Sequence, residues 1–233
     1  MPADKVKRFI SVGAKHHQNF EGIVQTRVGA LIIHLGMSGS FRVVPEGTPP
    51  GKHDHYDIRA GGNVAIRYTD PRRFGCLLFT DTDPLLHPRL RGLGVEPLSP
   101  DFTADYLYDK SKNRNIPVKT LIMDGAVVVG VGNIYASEAL FLSGIHPLRR
   151  CSRISLDRYS KLAGVIVSVL ENAIVAGGTT LKDFSRVDGQ PGYFEQDLLV
   201  YGRTGDSCVN CGTPVVLKTV SQRSTYYCPA CQT

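Results

Sequence analysis

Short runs in which apolar and polar residues alternate dominate the first half of the chain. Apolar or alternating segments lie at residues 30–35, 40–44, 56–59, 64–68 and 74–80. Alternation with a period of two is typical of strands that bury one face, and Gly61-Gly62 between two of the segments favours a tight hairpin. This half is therefore predicted to form antiparallel strands, followed by a Pro-rich linker at 84–100.

Helical spacing replaces this alternation in the second half. Residues 99–101, Asn133 and Ser155 are predicted to cap three helices. The clearest helix carries apolar residues at helical spacing over 156–174 and is expected to end at Gly177-Gly178. Residues 198–201 are predicted to form a short strand. Strands followed by helices indicate an α+β fold.

A Gly-Val-Gly turn at 130–132 has two of the three glycines of a dinucleotide-binding motif, but the third glycine is missing. The order of strands and helices also disfavours such a fold. The turn precedes a predicted helix, where successive backbone N–H groups bind anions well. An anion-binding turn suited to a phosphate is therefore the preferred interpretation.

Four cysteines near the C-terminus form two identical C-x-x-C pairs separated by a segment of hairpin length. Two thiolates from each turn supply the four soft ligands that zinc binds tetrahedrally, so one Zn²⁺ per chain is predicted. Two disulfides are the alternative. With no signal peptide or membrane-spanning run in the sequence, we expect a reducing, cytoplasmic setting, which favours zinc. The predicted ligands are Cys208, Cys211, Cys228 and Cys231; Cys76 and Cys151 are expected to be unreactive thiols.

The charge of the chain is consistent with a polyanionic partner but does not require one. The formal net charge is +6, with basic clusters at 110–119 and 149–153. An ordinary solvated surface explains the same clusters equally well.

Three further motifs accompany the cysteine hairpin: the chain reads IHLGMSGS at 33–40, YTDPRRFG at 68–75 and GVGNIYASE at 130–138. Together they resemble bacterial formamidopyrimidine-DNA glycosylase, from about Leu31 to the end of the chain. The resemblance implies a β-sandwich-like N-terminal domain, a helix-two-turn-helix domain and a zinc-ribbon hairpin. It also implies removal of oxidised purines such as 8-oxoguanine, followed by cleavage at the abasic site.

By this resemblance Met37, Arg72 and Phe74 form the wedge that fills the space left by an extruded base. Apolar and aromatic side chains replace lost stacking, and an arginine fork can hydrogen-bond the orphaned partner base. The alternative is that Met37 and Phe74 are core residues at strand ends. Their position in glycine-flanked turns favours the wedge.

The same resemblance implies phosphate contacts and a closing loop. The resemblance assigns phosphate contacts to four residues: His53, Arg114, Lys119 and Asn133. It assigns Arg223 a role at the lesion site in the elimination step. His53 and His55 alternatively suggest a metal site, but no carboxylate or thiol spacing supports one. The Gly-rich stretch at 190–194 resembles the loop that closes over the flipped base, or is a plain surface loop.

The start of the chain departs from the family pattern. The family nucleophile is an N-terminal proline followed by glutamate, whereas this chain opens Met1-Pro2-Ala3. Pro2 and Lys15 are weak candidates for the nucleophile and the catalytic lysine. Residues 1–28 are expected to be unmatched, as in a truncated or misassigned start. Loss of strands there predicts exposed apolar residues at Leu31 and Ile33 and a less stable domain.

These observations predict four segments: 1–28 unmatched, 29–98 an incomplete β-sandwich domain, 99–197 helical and 198–233 the zinc hairpin. We expect a monomer that binds double-stranded DNA containing damaged bases and has no membrane partner. The alternative function is a catalytically impaired, zinc-dependent protein that binds damaged DNA. A zinc-ribbon protein acting on RNA is disfavoured, because the resemblance extends well beyond the ribbon.

Overall fold

The computed structural model describes residues 8–12, 21–26, 28–36, 38–175 and 198–233. These residues divide into two compact units. The first consists of the described residues up to Gly92, and the second of those from Leu93 onward. Pro2, Lys15, Met37 and the stretch 190–194 lie outside the described residues, so the predictions that concern them stay predictions.

A four-stranded antiparallel sheet in the first unit has the order β1-β2-β3-β7. Its strands are β1 (Arg8–Val12), β2 (Glu21–Gln25), β3 (Ala30–His34) and β7 (Cys76–Thr80). The prediction that Ile33 is exposed is wrong: its side chain is 2% accessible, while Leu31 is half-buried. The expected loss of strands does not occur: β3 is a central strand that pairs with β2 on one side and β7 on the other, and residues expected to be unmatched supply β1 and β2.

A second antiparallel sheet in this unit has the order β4-β6-β5. Its strands are β4 (Ser40–Pro45), β5 (Asp54–Gly61) and β6 (Val64–Thr69). The predicted hairpin is present, but its turn is Gly62-Asn63 and not Gly61-Gly62. Both turn residues have positive φ (63° and 59°), as a tight hairpin turn requires, and an irregularity between Arg59 and Gly61 lengthens β5 by one residue.

Four helices occupy the described part of the second unit: α1 (Ala104–Ser111), α2 (Val118–Ile122), α3 (Asn133–Leu142) and α4 (Leu156–Val175). Two predicted caps are wrong. Thr103, not residues 99–101, caps α1, and its hydroxyl accepts the Tyr106 N–H at 3.1 Å. Gly132 precedes α3, so Asn133 is the first helical residue and its side chain is free for another contact. Helix α4 starts directly after Ser155, as predicted.

The C-terminal part of this unit is a hairpin packed on α3. Strands β8 (Val216–Val220) and β9 (Arg223–Tyr227) flank the turn Ser221-Gln222, in which both residues have positive φ. The strand predicted at 198–201 is not formed. The carboxylate of Glu138, on α3, accepts the backbone N–H groups of Leu199, Val200 and Tyr201 at 2.9–3.1 Å, so they are not available for a ladder.

Candidate functional site

The turn that follows β6 presents two of the predicted wedge residues. Phe74 is 57% exposed, although an aromatic side chain is usually buried. The guanidinium carbon of Arg72 lies 5.1 Å from the centre of the Phe74 ring, within cation–π distance. Between them Arg73 has a φ of 57°, which turns the chain sharply. The turn therefore displays an aromatic ring and a guanidinium side by side, which disagrees with the core alternative for Phe74.

Hydrogen bonds to the side chain of Asp70 hold this turn in place. Its buried carboxylate accepts hydrogen bonds from the Ser38 hydroxyl, the Tyr68 hydroxyl and the backbone N–H groups of Arg72 and Gly75. Burial by itself would raise the pKa of Asp70, but these bonds outweigh it and lower the pKa to about 2. Asp70 is therefore ionised at neutral pH. Sequence reasoning did not single it out, because burial of one acid within a Pro-containing turn is not visible in the sequence.

The segment that carries His53 is held by an ionic network. The guanidinium of Arg67, itself buried, makes a bidentate pair with Asp57 and also donates to the backbone oxygens of Thr48 and Pro49. Asp54 accepts hydrogen bonds from Arg42 and from the Thr69 hydroxyl. The bond from Thr69 is the main reason that the pKa of Asp54 falls to about 2. Each charge has opposite partners, which offsets the cost of burial.

His53 lies beside the wedge turn, and its backbone oxygen accepts the Asp70 N–H at 3.0 Å. His55 Nε2 is 2.8 Å from the backbone oxygen of Asp70. Neither histidine belongs to a metal-ligand group among the residues with described side chains. The phosphate contact of His53 stays a prediction.

In the second unit, Lys119 and Asn133 converge on the hairpin. Both side chains donate to the backbone oxygen of Ser224, each at 2.9 Å, and Lys119 Nζ also contacts the Thr225 hydroxyl at 2.8 Å. Lys119 is 1% exposed, so its amine faces the hairpin and not solvent. Burial, and secondarily the positive charge of Arg223, lower the pKa of Lys119 from 10.5 to about 7. Both residues therefore contact the hairpin at Ser224, the residue next to Arg223.

Two other predicted anion contacts differ in their surroundings. Arg114 is partly exposed and lies 3.6 Å from the carboxylate of Asp124, so it carries a solvated ion pair. Within the turn 130–132, the Gly132 N–H donates to the Gly130 oxygen at 3.1 Å. One amide of the predicted anion-binding turn is therefore used internally.

The four cysteine sulfurs form a cluster in which all lie within 4.8 Å of one another. Two of the separations are 3.9 Å, for Cys208 and Cys231, and 3.5 Å, for Cys211 and Cys228. Ligands about 2.3 Å from a tetrahedral zinc are roughly 3.8 Å apart, so the cluster fits Zn²⁺ and not two disulfides. Hydrogen bonds from the side chain and backbone of Thr213 lower the pKa of Cys211 to about 6. Burial raises the pKa of Cys228, and the hydrogen bond with Cys211 raises that of Cys231, so Cys211 is the thiol most readily ionised for zinc.

Sequence models of three domains match the chain. They are the formamidopyrimidine-DNA glycosylase N-terminal domain over residues 16–77, its H2TH domain over 93–185, and the zinc finger found in FPG and IleRS over 205–233. The formamidopyrimidine-DNA glycosylase of Marinobacter nauticus is 54% identical over 204 residues, which are 88% of this chain and 75% of the relative. The chain belongs to the formamidopyrimidine-DNA glycosylase family. The Stenotrophomonas maltophilia glycosylase is 52% identical over 210 residues, 90% of this chain and 77% of the relative.

Solved structures of glycosylases of this family have the same fold. A variant of the Lactococcus lactis FPG in complex with Fapy-dG containing DNA is 28% identical, with a TM-score of 0.83, and the match covers 97% of this chain and 82% of that one. The Lactococcus lactis Fpg with abasic-site DNA is 29% identical with a TM-score of 0.82, covering 98% and 82%. MutM with carbocyclic 8-oxo-G containing DNA is likewise 29% identical, with a TM-score of 0.82, covering 97% and 81%.

These comparisons confirm the predicted family, the α+β fold and one zinc per chain, held by the four cysteines of the glycosylase zinc finger. They also extend the resemblance: the N-terminal domain match starts at residue 16, well before Leu31. Among the residues that the structure describes, no helix combines the length and apolar character needed to cross a bilayer. The sequence did not point to three buried polar residues, Asp70, Arg67 and Glu138. Arg67 and Glu138 bind partners that are distant in sequence, whereas Asp70 binds mainly within its own turn and reaches one distant residue, Ser38.

Proposed function

We propose that this protein is a base-excision repair glycosylase that removes oxidised purines from double-stranded DNA and cleaves the abasic site that results. The observation that carries the proposal is the identity of more than half of the aligned residues with formamidopyrimidine-DNA glycosylases, over 88% of the chain. Relatives with the same fold are solved with Fapy-dG, 8-oxo-G and abasic-site DNA. Oxidised purines and abasic sites are therefore the substrates to test first.

The exposed turn residues Arg72 and Phe74, together with Met37, fill the gap when a damaged base leaves the stack. Extruding a base costs a few kcal/mol of lost stacking and pairing. The Phe74 ring provides a replacement stacking surface, and the neighbouring guanidinium provides donors for the partner base. Their adjacency in the free protein supports this assignment.

Phosphate contacts fix the duplex without reading its sequence. We assign them to His53, Arg114 and Asn133, and we place the exposed Arg223 at a phosphate flanking the lesion. Lys119 belongs with these residues, but its buried amine supports a role in holding the hairpin that carries Arg223. The zinc site holds the same hairpin together and takes no part in the reaction chemistry.

The chemical step is assigned to an amine near the N-terminus. The secondary amine of Pro2, exposed if Met1 is removed, would attack sugar C1′, expel the base and leave an imine that drives strand cleavage by elimination. Lys15 and Arg223 are the proposed assisting residues. We place the protein as a monomer on the chromosome in the bacterial cytosol. We propose 99–197 and 198–233 as its helical and zinc-hairpin divisions, and we extend the division 29–98 to include β1 and β2, which belong to the same sheet.

Borohydride trapping tests this proposal. The full chain is incubated with a duplex containing 8-oxoguanine or an abasic site, and borohydride reduces any imine to a stable covalent adduct. We expect an adduct with both duplexes for the wild type. Pro2→Gly keeps a primary amine that can still form an imine at an existing abasic site, so it should lose the adduct with the 8-oxoguanine duplex and keep a weaker one with the abasic-site duplex, while Lys15→Ala slows adduct formation. Tight lesion binding with no adduct would contradict the enzyme and support the binding-only alternative.

A further inference from the structure

A buried carboxylate links two turns of the first unit. Asp70, at the end of β6, is 0% exposed. One carboxylate oxygen accepts the Ser38 hydroxyl at 2.6 Å and the Arg72 N–H at 3.2 Å. The other accepts the Tyr68 hydroxyl and the Gly75 N–H, each at 3.0 Å. Ionised carboxylates make hydrogen bonds roughly twice as strong as neutral acceptors, so this group is a rigid joint.

The first turn joined in this way is the one that displays the wedge. Arg72 and Gly75 flank the Arg73 and Phe74 pair, so the carboxylate holds both ends of the exposed segment through its backbone. The Arg73 N–H reaches the Asp70 backbone oxygen at 3.4 Å and closes the turn. With both ends fixed, the backbone positions from which the Arg72 and Phe74 side chains project are set before any ligand arrives.

The second turn is the Gly-rich segment after β3. Ser38 belongs to it, and the Tyr68 hydroxyl also lies 3.1 Å from the backbone oxygen of Leu35. A Cβ added at Gly39 or at Gly75 would collide with that hydroxyl. The two turns therefore meet around Tyr68 and Asp70 with no space for a side chain, and movement of one displaces the other.

We propose that Asp70 is a positioning residue for base extrusion, which presets the turn carrying Arg72 and Phe74 so that discrimination between damaged and intact duplex depends on it. The inference rests on the proposed function. Void filling occurs only after a base has left the stack, whereas phosphate contacts form on any duplex. Loss of the joint therefore lowers the preference for lesions and leaves affinity for undamaged DNA unchanged.

The test is the substitution Asp70→Asn in the full-length, zinc-loaded protein. Asparagine keeps the shape but places an NH₂ group against a hydrogen-bond donor, which opens the joint. Affinity is measured for a duplex with an abasic-site analogue and for the intact duplex over a salt series. With 2-aminopurine opposite the lesion, fluorescence reports insertion beside the orphaned base.

We expect discrimination to fall by up to about 100-fold, which is the order of loss that a misplacement of about 1 Å causes for positioned groups in catalysis. The salt dependence and the affinity for intact duplex stay at the wild-type level, and the 2-aminopurine signal is lost. Glu138→Gln is the matched control, because it also neutralises a buried carboxylate that binds backbone N–H groups. It should keep wild-type discrimination.

Ser38→Ala is the second variant. It removes the hydroxyl that donates to Asp70 and accepts the Arg72 N–H, and it keeps the Asp70 charge. It should give a smaller loss in the same direction. If Asp70→Asn does not fold, Ser38→Ala decides alone. Wild-type discrimination and fluorescence in the folded variants would overturn the proposal, as would an equal loss of affinity for intact and damaged duplex. If the wild type itself shows no preference for the lesion, the proposed function fails instead.

Discussion

Replacing Lys119 with methionine should remove a pH dependence from the stability of this glycosylase. The lysine amine is buried between α2 and β9, where it donates to the Ser224 oxygen and the Thr225 hydroxyl. Methionine has similar length and no charge. Asn133 still donates to Ser224 in the variant, so the substitution leaves that carbonyl with a partner.

The magnitude follows from the pKa of Lys119, which burial lowers from 10.5 to about 7. The difference corresponds to about 5 kcal/mol between the two protonation states. A lysine whose folded pKa lies below its unfolded pKa binds more protons in the unfolded state between these values, so stability rises with pH through this window. Between about pH 7 and about pH 9, this linkage predicts a gain of about 2 kcal/mol that Lys119→Met lacks.

The assay is urea unfolding of zinc-saturated wild type and Lys119→Met at both pH values. Taking the difference in unfolding free energy between the two proteins at each pH cancels the contribution of every other titrating group. Lys161→Met, which changes an exposed lysine on α4, is the control and should follow the wild type. Parallel pH profiles for wild type and Lys119→Met would refute the reasoning, because a buried lysine with a low pKa cannot be removed without changing the slope.

Three further changes probe the second unit. Glu138→Gln should lower the free energy of unfolding by about 2 kcal/mol, because a buried charged acceptor of three N–H groups is lost; unchanged urea unfolding would contradict this. Cys211→Ser, or a zinc chelator, should release the metal and raise amide exchange in β8 and β9, as metal analysis and hydrogen exchange would show. Arg114→Ala should reduce the salt slope of DNA binding by about one if it contacts one phosphate. Asp124→Ala, which frees the same arginine, should not reduce it.

Local patterns predicted the elements that have a clear period or spacing of their own. The cysteine spacing predicted the hairpin and its metal, and apolar or alternating runs predicted β3 to β7. The strand expected at 198–201 failed because its N–H groups bind Glu138, more than sixty residues earlier, and no local pattern reports such a partner. The family resemblance implied a phosphate contact for Lys119, and its residue type suits that role. Its burial depends on the hairpin packed against it, which the sequence near residue 119 does not contain.

The shared Ser224 carbonyl has a practical consequence for recombining these enzymes. Lys119, Asn133 and the hairpin meet at one oxygen, although they are up to 105 residues apart. A chimera that takes the hairpin from one relative and the helices from another separates parts that fit only together. Chimeras in which residues 118–133 and the hairpin come from the same relative should be functional more often than chimeras in which they come from different relatives.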